Sequence, residues 1–157
     1  MRRISKESVS FILNSKFKRP IARPLETISP IEDAAELICQ GLPIEKIVII
    51  TDSEQAVRRI AACAPSQPII AVSNDPITAR SFNILYGTEG IHIDITPKMS
   101  INYITAVLRD LWIKGIIHDQ ENILLISSSS KTKSGTSINL LQTCKISDLK
   151  DTLGWKD

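Results

Sequence analysis

The sequence is poor in the residues that build metal sites and disulfide frameworks. Its 157 residues contain three cysteines, Cys39, Cys63 and Cys144, without a CxxC pair, and two histidines, His92 and His118. An odd number of widely spaced cysteines predicts buried thiols in a reducing cytosol, not disulfides or a zinc site. Neither histidine has a cysteine or an acid at ligand spacing. We therefore predict no metal site and interpret His92 as a surface residue.

Long apolar runs and a strong net charge are missing as well. No apolar stretch approaches the roughly 20 residues that a membrane-spanning helix needs, so we do not predict a membrane protein. A net charge of +2 gives no general case for nucleic-acid binding. Hydrophobic residues make up 43% of the chain and charged residues 23%, which is typical of a globular protein of one domain.

The first 28 residues carry an excess of positive charge, opposed before Glu26 only by Glu7. An amphipathic pattern over 5–17 predicts a helix, and the prolines that follow predict an extended connector. We interpret this segment as the solvated basic start of a cytoplasmic protein. An organellar presequence is the alternative, whereas the pattern of a secretory signal is missing.

The apolar run Ile47 to Ile50 is the centre of the predicted fold. Four consecutive β-branched residues predict a strand buried on both faces, as in the middle of a parallel sheet. The following Thr51, Asp52 and Ser53 predict a tight turn into a helix. Because ligands of open α/β sheets bind at the carboxyl ends of strands, we expect any small-molecule site here.

The other patterns predict an α/β domain with a five-stranded, mainly parallel sheet covered by helices on both faces. A helix is predicted from the Ser29-Pro30 start to a left-handed cap at Gly41. No helix separates the last two strands, so they are predicted to form an antiparallel hairpin. The elements predicted after the central strand are a helix over 53–64, a strand over 68–73, a helix over 78–85, an edge strand over 91–95, a helix over 100–117 and strands over 122–127 and 137–146.

Three stretches together resemble the C-terminal α/β domain of pyruvate kinase: IVIITDSEQAVRRIAACAP, PIIAVSNDPITARSFNILYG and SGTSINLLQTCKI. The middle stretch is the most specific, with a strand, the run NDPITAR and a Tyr-Gly pair before the next strand. The resemblance implies a domain over 29–146, after the N-terminal segment 1–28 and before a tail over 147–157. It also implies the strand order 3-2-1-4-5, with the last strand antiparallel. Trp155 in the tail is either docked on the domain or an anchor for a partner.

The resemblance does not extend to catalysis. The chemistry of pyruvate kinase takes place in a (β/α)8 barrel, which 157 residues cannot hold beside this domain, and no barrel motif is present. We therefore predict no catalytic residue, no cofactor and no phosphoryl transfer by this chain alone. It is either a free-standing relative of the regulatory domain, which Met1 slightly favours, or a piece of a larger enzyme.

In allosterically regulated pyruvate kinases this domain binds a sugar bisphosphate. The loop after the first strand, Thr-Lys-Ser-Gly-Arg-Ser or similar, cradles one phosphate against a helix N-terminus. Here aspartate replaces the lysine, glutamate replaces the glycine and alanine replaces the last hydroxyl, whereas two hydroxyls are kept. The matching positions, which we call the 51–56 loop, are Thr51, Asp52, Ser53, Glu54, Gln55 and Ala56.

Charge then decides what this loop can bind. A helix N-terminus is worth about 0.3–1 kcal/mol to an anion, whereas a carboxylate about 4 Å from a phosphate costs about 4 kcal/mol per unit charge at an effective dielectric near 20. Two acids outweigh the helix unless cations offset them, so we expect a degenerate site. The resemblance implies that the loop before the last strand closes over this pocket. The possible anion contacts on that loop are Lys131, Lys133, Ser134, Gly135 and Thr136. These lysines can equally pair with the two acids and leave no ligand.

The final strand, 137–146, is predicted to be an open edge that invites pairing with another chain. In pyruvate kinase the C-terminal domains meet across a two-fold interface at this end, so we expect a homodimer, and a pyruvate kinase barrel is a further candidate partner. The leading hypothesis is a non-catalytic regulatory or assembly domain. The others are the regulatory part of an active pyruvate kinase and a module for an unrelated small anion.

Overall fold

The computed structural model describes residues 30–63, 65–94, 101–129 and 138–155. The predicted N-terminal helix and connector over 1–28, and the cap at Ser29, lie outside these ranges. Helix α1 (Pro30–Gly41) has proline at its first position, as predicted. The predicted left-handed cap at Gly41 is wrong, because Gly41 is the last helical residue and does not have a positive φ. The helical bonding continues past it, since Leu42 N donates to Ile38 O at 2.9 Å.

The remaining elements follow the predicted order, with shifted ends and one helix more. They are β1 (Lys46–Thr51), α2 (Glu54–Ala62), β2 (Ile69–Ser73), α3 (Pro76–Phe82), β3 (Thr88–His92), α4 (Ile101–Ile113), β4 (Asn122–Ser129), β5 (Ile138–Lys145) and α5 (Ile146–Leu153). None of the helices within the described ranges has the length and apolar character needed to cross a bilayer.

The shifted ends have local causes. Helix α3 begins two residues before the predicted start because Asp75 caps it, accepting from Thr78 N at 2.8 Å, with proline at the first position. Helix α4 ends four residues before the predicted end because Gly115 adopts a φ of 68° and its N–H donates to Trp112 O at 2.9 Å. Strand β3 begins three residues before the predicted start and contains Gly90, which the apolar pattern did not predict as strand.

The five strands form one sheet in the order β3-β2-β1-β4-β5. Strand β1 pairs in parallel with β2 and β4, β2 pairs in parallel with β3, and only the β4–β5 pair is antiparallel. The predicted central strand and the predicted hairpin are therefore confirmed. The chain turns from one side of β1 to the other between β3 and β4, so the topological switch point lies between β1 and β4.

Alternate residues of the central strands face two separate apolar layers. Val48 and Ile50 pack in the cluster that contains α4 and α5, whereas Ile47 and Ile49 pack in the cluster that contains α1, α2 and α3. The fold is a three-layer αβα domain, as predicted. Both faces of the strands are covered, which explains why Ile47 to Ile50 form a continuous apolar run rather than an alternating one.

Helix α5 is the element that the sequence reading missed. It begins directly after β5, and Ile146 N and Ser147 N donate to Glu121 O and Asp119 O at 3.1 and 2.9 Å. Beyond the helix, Trp155 is 8% exposed and lies against Trp112, with ring centroids 5.9 Å apart. Of the two roles left open for Trp155, the structure shows the docked one.

The three thiols are less buried than predicted. Cys39, Cys63 and Cys144 are all free, and each is partly exposed. Cys39 and Cys63 occur near the ends of α1 and α2, where the helices leave the apolar layer. Burial raises the pKa of Cys144 to about 11, and it raises that of Cys39 as well. His92 is exposed, as predicted, and its Nε2 lies 3.1 Å from Asn74 O.

Candidate functional site

Three hydroxyl side chains mark the carboxyl edge of the sheet. Thr51, Ser73 and Ser127 lie near the ends of β1, β2 and β4, and they are the buried polar side chains among the described residues, each no more than 4% exposed. These strands are adjacent and parallel, so the three residues lie along one edge of the sheet, with Ser127 paired to Ile50 and therefore on the other face from Thr51. Apolar strands that end in buried hydroxyls at the switch point provide the position where open α/β sheets bind ligands.

The 51–56 loop turns tightly at this edge. Thr51 Oγ1 accepts from Ser53 N at 3.0 Å, which holds the turn closed. Ser53 precedes the helix in an extended conformation, with no hydrogen bond from its side chain to the first turn of α2. The geometry is therefore the predicted one of strand, tight turn and helix N-terminus.

The two acids of the loop have different surroundings. Glu54 forms an ion pair with Arg58 one turn further along α2, with Arg58 Nε donating to Oε1 at 2.7 Å. Asp52 is exposed, and its Oδ1 lies 3.4 Å from Ser73 Oγ. Glu54 therefore has a cation on its own helix, while Asp52 places a carboxylate over the hydroxyl edge.

The neighbours of Asp52 extend the site to β2 and α4. Ser73 Oγ also accepts from Asp75 N at 3.1 Å, which connects the ends of β1 and β2 through one hydroxyl. Burial, and then the nearby Asp52 carboxylate, raise the pKa of Tyr103. Hydrogen bonds from the Thr78 hydroxyl and backbone N–H hold the pKa of Asp75 below its usual value. The edge is thus lined by hydroxyls, a phenol and carboxylates.

Sequence reasoning located the 51–56 loop but missed two of its neighbours. Ser73 ends the apolar run of β2 as Thr51 ends that of β1, and this parallel was a signal that could have placed it at the same edge. Tyr103 comes from α4, and nothing in its local pattern points to the site. Lys131, Lys133, Ser134, Gly135 and Thr136 lie outside the described residues, so their approach to the loop stays a prediction.

The described residues at this edge offer hydrogen-bonding groups rather than a cluster of metal ligands. Within the described part of the chain, no group of three histidine, cysteine, aspartate or glutamate side chains is arranged to hold a metal ion. The 51–56 loop itself contains two carboxylates and no basic side chain. Its chemistry favours hydrogen-bond donors and cations over a phosphate.

The fold is an α/β domain with its topological switch point at this edge, and comparison with known proteins gives the family. The model for "Pyruvate kinase, alpha/beta domain" matches residues 30–143, so the chain belongs to that family. Cryptosporidium parvum pyruvate kinase in complex with ADP has a similar structure, with a TM-score of 0.61 and 21% identity. The match covers 89% of this chain and 27% of the other. No curated protein gives a significant match.

Proposed function

We propose that this chain is a non-catalytic member of the pyruvate kinase alpha/beta domain family, with a regulatory or assembly role. Support comes from the match to this domain over 30–143 and from a span of only 27% of the Cryptosporidium pyruvate kinase. A cytoplasmic location is part of the proposal, since free thiols are typical of reducing compartments.

The observation that carries the proposal is the carboxylate of Asp52 at the carboxyl edge of the sheet, where the family's loop binds phosphate. The acid lies at the helix start, beside Ser73 Oγ at 3.4 Å, where the family's loop carries a lysine. A phosphate bound there would meet a negative charge in place of a positive one. Glu54 adds a second acid, whose partner Arg58 is exposed and therefore screened by solvent. The sugar-phosphate site of the family is thus expected to be degenerate.

Calorimetric titration with fructose 1,6-bisphosphate is expected to give no saturable heat. The paired change Asp52→Lys and Glu54→Gly restores two of the residue types of the family's loop, and we expect it to raise the affinity about a hundredfold, since a repulsion becomes an attraction. The titration is measured at low salt, where charge effects are largest.

The matched control for this restoration is Asp33→Lys with Asp151→Asn. It changes the net charge equally at two exposed positions away from the loop, and we expect no binding. Micromolar binding by the unchanged chain, abolished by Lys131→Ala, would contradict the proposal.

Self-association is the second part of the proposed role. Strand β5 lies at an edge of the sheet, with Gln142 and Thr143 exposed. Helix α1 contacts β5, and its Leu37 side chain is 68% exposed. An open edge strand next to this exposed leucine suits a two-fold interface between copies of this chain.

Light scattering after gel filtration is expected to give a mass of twice 17.4 kDa. Thr143→Lys adds a charge on both copies to the proposed β5 interface and is expected to weaken the dimer at least about tenfold. Glu89→Lys on the opposite edge strand, β3, is the control and leaves the mass unchanged. A concentration-independent monomer would rule out this part of the proposal.

The alternative is a regulatory part of an active pyruvate kinase, and the 27% coverage of a longer pyruvate kinase is the observation that favours it. Under this alternative a separately expressed catalytic barrel should bind the chain. Under the leading proposal the two remain separate in gel filtration.

A further inference from the structure

A cavity lies at the amino-terminal edge of the sheet, which is the edge opposite the 51–56 loop. It is enclosed by α1, by the end of α2 and by the residues that lead into β2, and its volume is about 280 Å³. Ala35, Ile47 and Ile60 line it, and all three are buried members of one apolar cluster. This cavity therefore has an apolar floor large enough for a small organic group.

The backbone makes this cavity electronegative. Helices α1 and α2 both end beside it, since Gln40 and Cys63 line it, and α2 ends with Cys63 as its C-cap. The C-terminus of a helix carries a partial negative charge, which favours cations. The last turn of α1 contains no basic residue that would offset this charge, whereas that of α2 contains Arg59, which pairs with Glu32.

The side chains that line the cavity add further negative charge. Glu32 and Glu36 line the cavity, and none of its other lining residues within the described ranges is a lysine, arginine or histidine. Glu32 has a cation 3.6 Å away in the exposed Arg59. Glu36 accepts a hydrogen bond from Gln40 at 3.2 Å and has no ion-pair partner within the described residues. Among the described residues, the Glu36 carboxylate is therefore left without a compensating cation.

We propose that this cavity binds a small organic cation, an amine with an apolar body. The apolar part lies on Ala35, Ile47 and Ile60, and the ammonium group meets Glu36 near the two helix C-termini. The proposal is independent of the function proposed above, because it uses the other edge of the sheet and none of the residues of the 51–56 loop.

Three probes of similar length test it on the full chain: n-hexylamine, hexan-1-ol and hexanoate, each titrated by NMR at neutral pH. We expect hexylamine to bind saturably and about tenfold more tightly than hexan-1-ol, a difference of about 1.4 kcal/mol. Hexanoate is expected not to saturate. Equal affinities for the three probes, or no saturable binding of the amine, would refute the proposal.

Two further measurements locate the binding. Glu36→Gln should weaken hexylamine binding about tenfold, whereas Glu89→Gln, an exposed carboxylate on β3, should not change it. Hexylamine should also slow alkylation of Cys39 and Cys63 by iodoacetamide, since both line the cavity, and leave the rate at Cys144 unchanged. An amine that binds Glu36→Gln undiminished, or that fails to protect the two lining thiols, overturns the assignment.

Discussion

Replacing Gly90 by alanine is expected to destabilise the domain by about 3 kcal/mol, because the added methyl group has no space. A Cβ at this position would lie 1.9 Å from the carbonyl oxygen of Ala79 and 3.1 Å from Phe82 Cβ. The first contact is with backbone, so no change of rotamer can relieve it, and α3 would have to move off β3. The expected fall in Tm is about 6–12 °C, measured by circular dichroism.

Gly41→Ala is the matched control for this substitution. Gly41 is the last residue of α1, and a Cβ there meets no atom within 4 Å. Since alanine has a higher helix propensity than glycine, we expect unchanged or slightly raised stability. If Gly90→Ala proved as stable as the unchanged chain, α3 could not lie as close to β3 as the structure shows.

Trp155→Ala is expected to cost about 3 kcal/mol in urea unfolding, since large aromatic side chains in well-packed positions lose that much on truncation. The Trp155 ring packs in the apolar cluster that contains α4 and lies against Trp112. Trp112 is itself held by Asp119, which accepts from its Nε1 and also from Lys150 Nζ. Losing Trp155 therefore loosens the attachment of α5 to the sheet.

Leu153→Ala, at the last residue of α5, is the control. Leu153 is 43% exposed, and the loss of its side chain is expected to cost about 0.5 kcal/mol or less. In Trp155→Ala, Trp112 is the one tryptophan that remains of the two in the chain. Its fluorescence therefore reports directly whether α5 stays docked beside it. Equal unfolding midpoints for Trp155→Ala and the unchanged chain would mean that Trp155 is not part of the core.

Helix dipoles give the two edges of the sheet opposite charge preferences, and an acidic side chain acts on each of them. In an α/β sheet the helices run opposite to the strands, so helix N-termini meet the carboxyl edge and C-termini meet the amino edge. At the carboxyl edge Asp52 opposes the anion preference of the helix start. At the amino edge Glu36 reinforces the cation preference of two helix ends.

Much of the fold could be predicted from local patterns. The continuous run Ile47 to Ile50 indicated a strand buried on both faces, and the structure places it at the centre of the sheet. The missing helix before β5 indicated the antiparallel hairpin. These strands and their pairing can be predicted from the sequence because apolar periodicity and the length of a connection depend on residues that are neighbours along the chain. The start of β3 was missed because Gly90 has no strand propensity of its own and is required by contact with α3.

By itself, the sequence determined the αβα class, the central strand, the tight turn at Thr51 and the acids that replace a basic phosphate loop. Only the tertiary structure decided that Glu54 pairs with Arg58, that Asp52 lies beside Ser73 and Tyr103, and that Trp155 is docked. It also brought Glu36, Cys39 and Cys63 to one cavity. The physical reason is distance along the chain, because burial and charge pairing join residues that no local pattern relates.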